Sequence, residues 1–215
     1  RQYVAQKKHP AEIDLLTSLA AEKPDNIGPK LLLLDLPDVR KNQRLAQEYV
    51  DDIKRIEGPR RGIYWRLKQV AVWQQGEDWR RQQDESESLL KEIMSLDPTW
   101  STPILALGRL HERIGRQDAA EAVYRRFNDS FPGHLAVVSR LLGLLERQAR
   151  FEEAVQILAR QPAGAAALQP HRLAIALRQG DFSVASEELD RRIQDDPQDA
   201  NAWVFKARLL FNNDK

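Results

Sequence analysis

The sequence predicts an all-α chain of helix pairs stacked in tandem, and three observations predict it. Prolines return at the length of one helical hairpin: Pro98 and Pro132 stand 34 residues apart, and Pro24 to Pro59 and Pro162 to Pro197 each span 35. Between them, apolar residues recur at three- and four-residue spacing in two successive runs, the mark of two amphipathic helices. Each run is about a dozen residues long, too short to bury its stripe alone, so copies must stack on one another.

The stretch from Asp97 to Pro132 shows the unit most clearly. Asp97-Pro98 and Ser101 set up a helix start. Ile104, Leu107, Gly108 and His111 then share one face. Gly108 costs about 1 kcal/mol relative to Ala in a helix, which fits a site of close packing. Gly115 ends the first helix with a residue that tolerates left-handed backbone. Ala120, Val123, Tyr124 and Phe127 form the second stripe, and Pro132 stops it.

Leu107-Gly108, Gly115, Ala120, Tyr124 and Pro132 together resemble the tetratricopeptide repeat. The chain departs from that family at Ile104, where Trp is preferred, at His111, where Tyr is, and at Phe127, where Ala is. The resemblance covers Pro24 to Phe211. It implies antiparallel helix pairs stacked into a right-handed superhelical α-solenoid. It also implies that first helices line an inner groove where extended partners bind, and that no catalysis is involved.

Taken in order, the expected units are 1–23 (partial), 24–58, 59–97, 98–131, 132–161, 162–196 and 197–215 (partial). Arg1 to Lys23 reads as a helix carrying Ile13, Leu16, Leu19 and Ala20. In the next unit Lys30 to Leu34 is the first helix, broken at Pro37, and Arg44 to Ile56 is the second, with Ala46 at the small-residue position. Ile63 to Trp73 and Glu85 to Leu96 follow, separated by the polar stretch 74–84, which reads as a loop or as an extension of either helix. After the reference unit, Val138 to Leu145 pairs with a helix from Arg150 to Leu158. Ala149 and Ala154 lie 34 residues after Gly115 and Ala120, so Ala149 takes the turn position usually held by Gly. Pro162 to Ala167 is a small-residue connector. Leu173 to Leu177 then pairs with a helix carrying Ala185, Leu189 and Ile193, for which Asp181 is the N-cap. The last run holds Ala202, Trp203, Ala207, Leu210 and Phe211 and lacks a second helix. The chain starts at Arg1 and its one Met is Met94, so it reads as a fragment of a longer protein.

Composition narrows the function classes. The 215 residues contain no Cys, which removes disulfides and thiolate metal sites and leaves cytosol and periplasm both open. Basic and acidic residues number 33 and 32, a balance that argues against nucleic acid as partner. No apolar run approaches the roughly 20 residues of a membrane span. No cofactor is expected: Gly-rich phosphate loops and nucleophile elbows are absent, and the four His show no metal-ligand spacing. His111 lies on a core stripe and reads as a packed histidine. Glu152-Glu153 and Glu187-Glu188 read as solvated helix faces. Trp65 and Trp203 read as core residues of first helices, whereas Trp73 or Trp79 is a candidate exposed anchor.

The candidate site follows from the register. Arg66, Arg109, Arg113, Arg140, Arg147, His171, Arg178, Phe205 and Arg208 fall at groove-facing positions of first helices, with Leu105 and Val204 as apolar neighbours. Guanidinium groups match carboxylate and phosphate oxygens, so the expected partner is a peptide or protein segment, acidic or phosphorylated. Pairing of these arginines with Glu112 and Glu146 on the same helices is the competing expectation. The family's carboxylate clamp is not supported: Arg109 and Gly143 stand where Asn is needed. A second reading makes the chain the docking or regulatory arm of a larger enzyme.

Overall fold

The computed structural model describes residues 8–162 and 164–213; the expected start of the first helix at residues 1–7 lies outside that range. The described residues form thirteen α-helices and two 3-10 turns, without a β-strand. The α-helices are α1 (Lys8–Glu22), α2 (Ile27–Leu33), α3 (Pro37–Lys41), α4 (Gln43–Glu57), α5 (Tyr64–Gln75), α6 (Gln83–Leu96) and α7 (Ser101–Arg113). They continue with α8 (Gln117–Ser130), α9 (Leu135–Arg147), α10 (Phe151–Ala159), α11 (Gln169–Gln179), α12 (Phe182–Asp195) and α13 (Ala200–Asn213). The chain divides into two compact units, Arg1–Leu110 and His111–Lys215.

In the second unit each helix from α8 to α13 packs on the next, and α9 also touches α11. Contact between successive first helices distinguishes a stacked solenoid of antiparallel pairs from isolated hairpins. The turns show why the pattern repeats. At Gly115, Ala149 and Gly180 the backbone is left-handed, with φ of 79°, 56° and 74°. In each case the following N–H bonds the carbonyl five residues back: Arg116 to His111, Arg150 to Leu145 and Asp181 to Ala176, at 2.8 to 2.9 Å. This is the Schellman closure of a helix C-terminus, made three times at equivalent positions. Ala149 adopts it without being glycine.

Second helices end by a different device. Asp97, Phe131 and Asp196 each precede a proline, which disfavours helical backbone. All three have φ between −137° and −134°, and each N–H still donates to the carbonyl four residues back. The small residues Ala46, Ala120, Ala154 and Ala185 are all fully buried, so each marks a close helix contact.

The packing register explains the exposed aromatics of α13. In α9, Val137, Val138, Leu141, Leu142, Leu144 and Leu145 are all fully buried among α8, α10 and α11. In α13 only the counterparts of Val137 and Leu144, namely Ala202 and Leu209, are buried against α12. Trp203, Ala207 and Leu210, the counterparts of Val138, Leu142 and Leu145, are exposed. Trp203 is 52% exposed, which corrects its expected place in the core. Its indole N–H donates to the Pro197 carbonyl.

Two core clusters lie among the described residues of the first unit, where Leu90, Ile93 and Leu107 are buried as well. Leu16, Ala20, Leu33, Leu36 and Val39 form one, and Leu34, Ala46, Val50, Ile53 and Trp65 the other. The first helix α2 stops at Leu33, and Pro37 opens the separate short helix α3 from its first turn, where its missing N–H costs nothing. Asp35 holds this insertion to α5, accepting from Arg40 at 3.1 Å and from Lys68 at 2.6 Å. The polar stretch 74–84 contains a 3-10 turn at Trp79–Gln82 before α6 begins.

Candidate partner-binding face

Helix pairing sorts the charges. In the second unit the first helices, from His111 of α7 through α9, α11 and α13, carry seven basic residues and two acidic ones. The second helices α8, α10 and α12 carry nine carboxylates and four arginines. The first unit repeats the asymmetry: α2, α5 and α7 up to Leu110 hold four basic residues and no acidic one, against eleven carboxylates and five basic residues on α1, α4 and α6. A near-neutral chain is therefore polarised by its fold, with one layer basic and the other acidic.

On the first helices of the second unit, two polar clusters tie neighbouring helices together. Glu112 accepts from Arg147 at 2.7 Å and from the Tyr124 hydroxyl at 2.9 Å. His171 on α11 bridges two residues of α9, with Nδ1 2.6 Å from Glu146 Oε1 and Nε2 2.8 Å from Ser139 Oγ. The carboxylate fixes the proton on Nδ1, which leaves Nε2 to accept from the hydroxyl in the neutral ring. That connectivity is the one found in serine hydrolases, but Ser139 sits in the middle of α9, where backbone N–H groups belong to the helix ladder. What the cluster does in the fold is to join α9 to α11 through Ser139, His171 and Glu146. Gly143 lies between the clusters. A Cβ there would stand 3.6 Å from Arg147 Nη1 and 3.8 Å from His171 Cε1.

The expected site residues divide accordingly. Arg147 and His171 stand in these clusters and pair with Glu112 and Glu146, but between neighbouring helices and not within one helix as the competing expectation had it. Arg113, Arg140, Arg178 and Arg208 are exposed, and so are Val204 and Phe205. Arg140, Arg178 and Arg208 have no hydrogen-bond or ion-pair partner among the described residues. In the first unit Arg109 is exposed, its Nε–H donating to the Leu105 carbonyl at 3.1 Å. Arg66 is a correction. It is 5% exposed and stacks over Trp65 at 4.6 Å. It donates to Glu92 at 2.7 Å, to the Pro59 and Arg60 carbonyls at 2.9 and 3.2 Å, and to the Gly62 carbonyl. Arg66 thus organises the loop before α5 and presents no charge to a partner. Trp73 and Trp79 are half-buried, with the Arg80 guanidinium over the Trp79 ring. Sequence reasoning missed Ser139, which precedes Arg140 on α9 and meets His171.

The acidic layer has its own network. Glu121 accepts from Arg125 at 2.7 Å and from Arg150 at 2.5 Å, and Glu153 accepts from both arginines at 2.6 to 2.7 Å. Burial by itself pushes the Glu121 carboxyl up, but hydrogen bonds from Arg150 and Arg125 outweigh it and hold the group below the usual range. Arg150, then Arg125, hold Glu153 low as well, and the two glutamates raise Arg150. Near α13, the Ala202 N–H and then Arg192 depress Asp199. Glu188, expected on a solvated face, is 6% exposed.

Among the described residues no group of three or more His, Cys, Asp or Glu is placed to hold a metal ion. No helix there is long and apolar enough to cross a membrane. No family model matches the sequence, and no curated protein matches it significantly. Solved structures do match. A tetratricopeptide-repeat protein from Parabacteroides merdae aligns at TM-score 0.60 and 11% identity over 94% of this chain and 73% of its own. PilF of Pseudomonas aeruginosa aligns at 0.60 and 14% over 96% and 93%. YrrB, described as a tetratricopeptide-repeat protein with an unusual peptide-binding site, aligns at 0.53 and 14% over 89% and 97%. With its stacked helix pairs, repeated Schellman turns and buried alanines, the chain has the tetratricopeptide-repeat fold.

Proposed function

We propose that the chain is a non-catalytic scaffold whose first-helix layer binds an acidic or phosphorylated segment of a peptide or protein. The polarisation of charge between layers carries this reading. Arg140 and Arg178 are exposed cations without a partner among the described residues, while Arg147 is held in place by Glu112. The bonds of His171 to Ser139 and Glu146 join α9 to α11, so the two helices that carry these arginines are held in register before a ligand arrives. Exposed Val204 and Phe205 on α13 add apolar contact. The peptide-binding site named for YrrB supports the choice of ligand class.

The test is fluorescence anisotropy with labelled peptides of equal length, rich in Asp/Glu, in Asn/Gln or in Lys. The acidic peptide binds most tightly, and its affinity falls as salt rises because the contact is between exposed charges. Equal affinity for the acidic and uncharged peptides would overturn the proposal.

A further inference from the structure

Gly143 stands in the middle of α9, between the fully buried Leu142 and Leu144. Neither backbone nor packing asks for glycine there. Its backbone is helical, without a positive φ. A Cβ would meet no side chain closer than Arg147 Nη1 at 3.6 Å and His171 Cε1 at 3.8 Å, both ordinary contact distances. Alanine would fit and is the better helix former. A residue that weakens its own helix without a packing reason points to a functional demand.

What the missing methyl group leaves is a notch open to solvent. Gly143 is part-exposed, and the Arg147 side chain is 56% exposed. Ser139, Gly143 and Arg147 follow at four-residue spacing and Arg140 lies three before Gly143, so all four share one face of α9. Arg147 donates from Nη2 to Glu112 at 2.7 Å, which fixes the guanidinium, and its Nη1 has no acceptor among the described residues. His171 Cε1 is the ring carbon between the nitrogen that meets Glu146 and the one that meets Ser139, and its C–H is a weak donor. The notch therefore offers one strong donor and one weak one beside bare backbone.

We propose that this notch seats a main-chain carbonyl of the bound segment, an inference that rests on the first-helix layer being the binding face. Glycine is the residue that lets another backbone approach closely. The carbonyl oxygen accepts from Arg147 Nη1, with the His171 Cε1–H beside it. An uncharged oxygen suits the place better than a carboxylate or phosphate. Arg147 already shares its charge with Glu112, and His171 holds Glu146, so a further anion meets two carboxylates. The acidic side chains of the segment fall to Arg140 and Arg178, while Gly143 and Arg147 fix where its backbone runs.

The experiment adds Gly143→Ala and Arg147→Ala to anisotropy titrations with the Asp/Glu-rich and Asn/Gln-rich peptides. Gly143→Ala keeps or raises Tm, yet weakens both peptides by the same factor of about ten, one charge-assisted hydrogen bond's worth. A main-chain contact is common to every sequence, so the preference for acid survives. Adding Gly143→Ala to Arg147→Ala brings little further loss, because both remove one contact. Unchanged affinity in a folded Gly143→Ala protein overturns the proposal and leaves the basic face standing. Loss confined to the acidic peptide would seat a carboxylate in the notch, and loss confined to the Asn/Gln-rich one a side-chain amide; either overturns it. If the parent binds both peptides equally, the acidic preference fails and the response to Gly143→Ala still decides the notch; a parent that binds neither overturns both. Should Gly143→Ala not fold, Arg147→Ala decides: undiminished binding of the Asn/Gln-rich peptide there overturns the proposal.

Discussion

Replacing Ala149 with glycine should stabilise the protein, and the size of the gain follows from the turn geometry. Ala149 has φ 56° and closes the C-terminus of α9 with the same hydrogen bonds that Gly115 and Gly180 make. An L-residue with a Cβ pays roughly 1–2 kcal/mol for left-handed backbone. Glycine removes that strain but gains freedom in the unfolded chain, which gives back about 0.4–1 kcal/mol. Ala149 is exposed, so its methyl group contributes little packing that could be lost. The net expectation for Ala149→Gly is a gain of about 1 kcal/mol, or roughly 2–4 °C in Tm for a chain of this size. Gly115→Ala and Gly180→Ala supply the mirror image. No heavy atom lies within 4 Å of a Cβ built at either glycine, so those variants lose about 1 kcal/mol through backbone strain alone. Thermal and urea unfolding followed by circular dichroism reads all three. A destabilised Ala149→Gly, or a harmless Gly115→Ala, would refute the equivalence of the three turns.

Acid should weaken the fold through its depressed carboxyls. Glu121, Glu153 and Asp199 sit below their usual values in the folded state, so their contribution is complete above the unfolded value of about 4 and disappears as pH falls through the folded values. Urea midpoints measured from pH 6 to pH 3 should drop, and Glu121→Gln should flatten that slope while costing about 1–2 kcal/mol at neutral pH; an unchanged slope would contradict the ion network. Ala154→Leu, at a fully buried helix contact, should cost about 1–3 kcal/mol by overpacking, and a neutral result in urea unfolding would argue against close approach there. Arg66→Ala should cost about 3 kcal/mol, since it strips donors from three loop carbonyls and from Glu92, yet leave acidic-peptide affinity unaltered. Lost affinity in a folded Arg66→Ala protein would return Arg66 to the binding face.

The fold was legible in the sequence wherever the signal was local. The proline before which each second helix stops acts on its own neighbour, and the 34-residue spacing placed Ala149 in a turn before its φ was known. The site was legible only in part. The spacing put Arg66 and Arg140 in equivalent roles, but Arg66 is captured by the carbonyls of residues 59–62, a loop geometry that no periodicity encodes. Trp203 carries the right residue type for a core position, but burial there requires a helix on the far side of α13. Glu188 was readable and was misread: it lies three residues after Ala185 and one before Leu189, on the buried stripe, and the neighbouring Glu187 disguised it as half of a surface pair. The separation of charge between layers needed the helix pairing, because each hairpin alone is close to neutral.

Charge reversal on the first-helix layer tests the central claim most directly. The double variant Arg140→Glu, Arg178→Glu changes two exposed side chains that have no partner among the described residues, so its circular dichroism and Tm should match those of the parent. In fluorescence anisotropy its affinity for the Asp/Glu-rich peptide should fall about a hundredfold, at about tenfold per lost charge contact, and the Lys-rich peptide should become the tighter ligand. A folded double variant that still prefers the acidic peptide with undiminished affinity would contradict a basic binding face built from these helices.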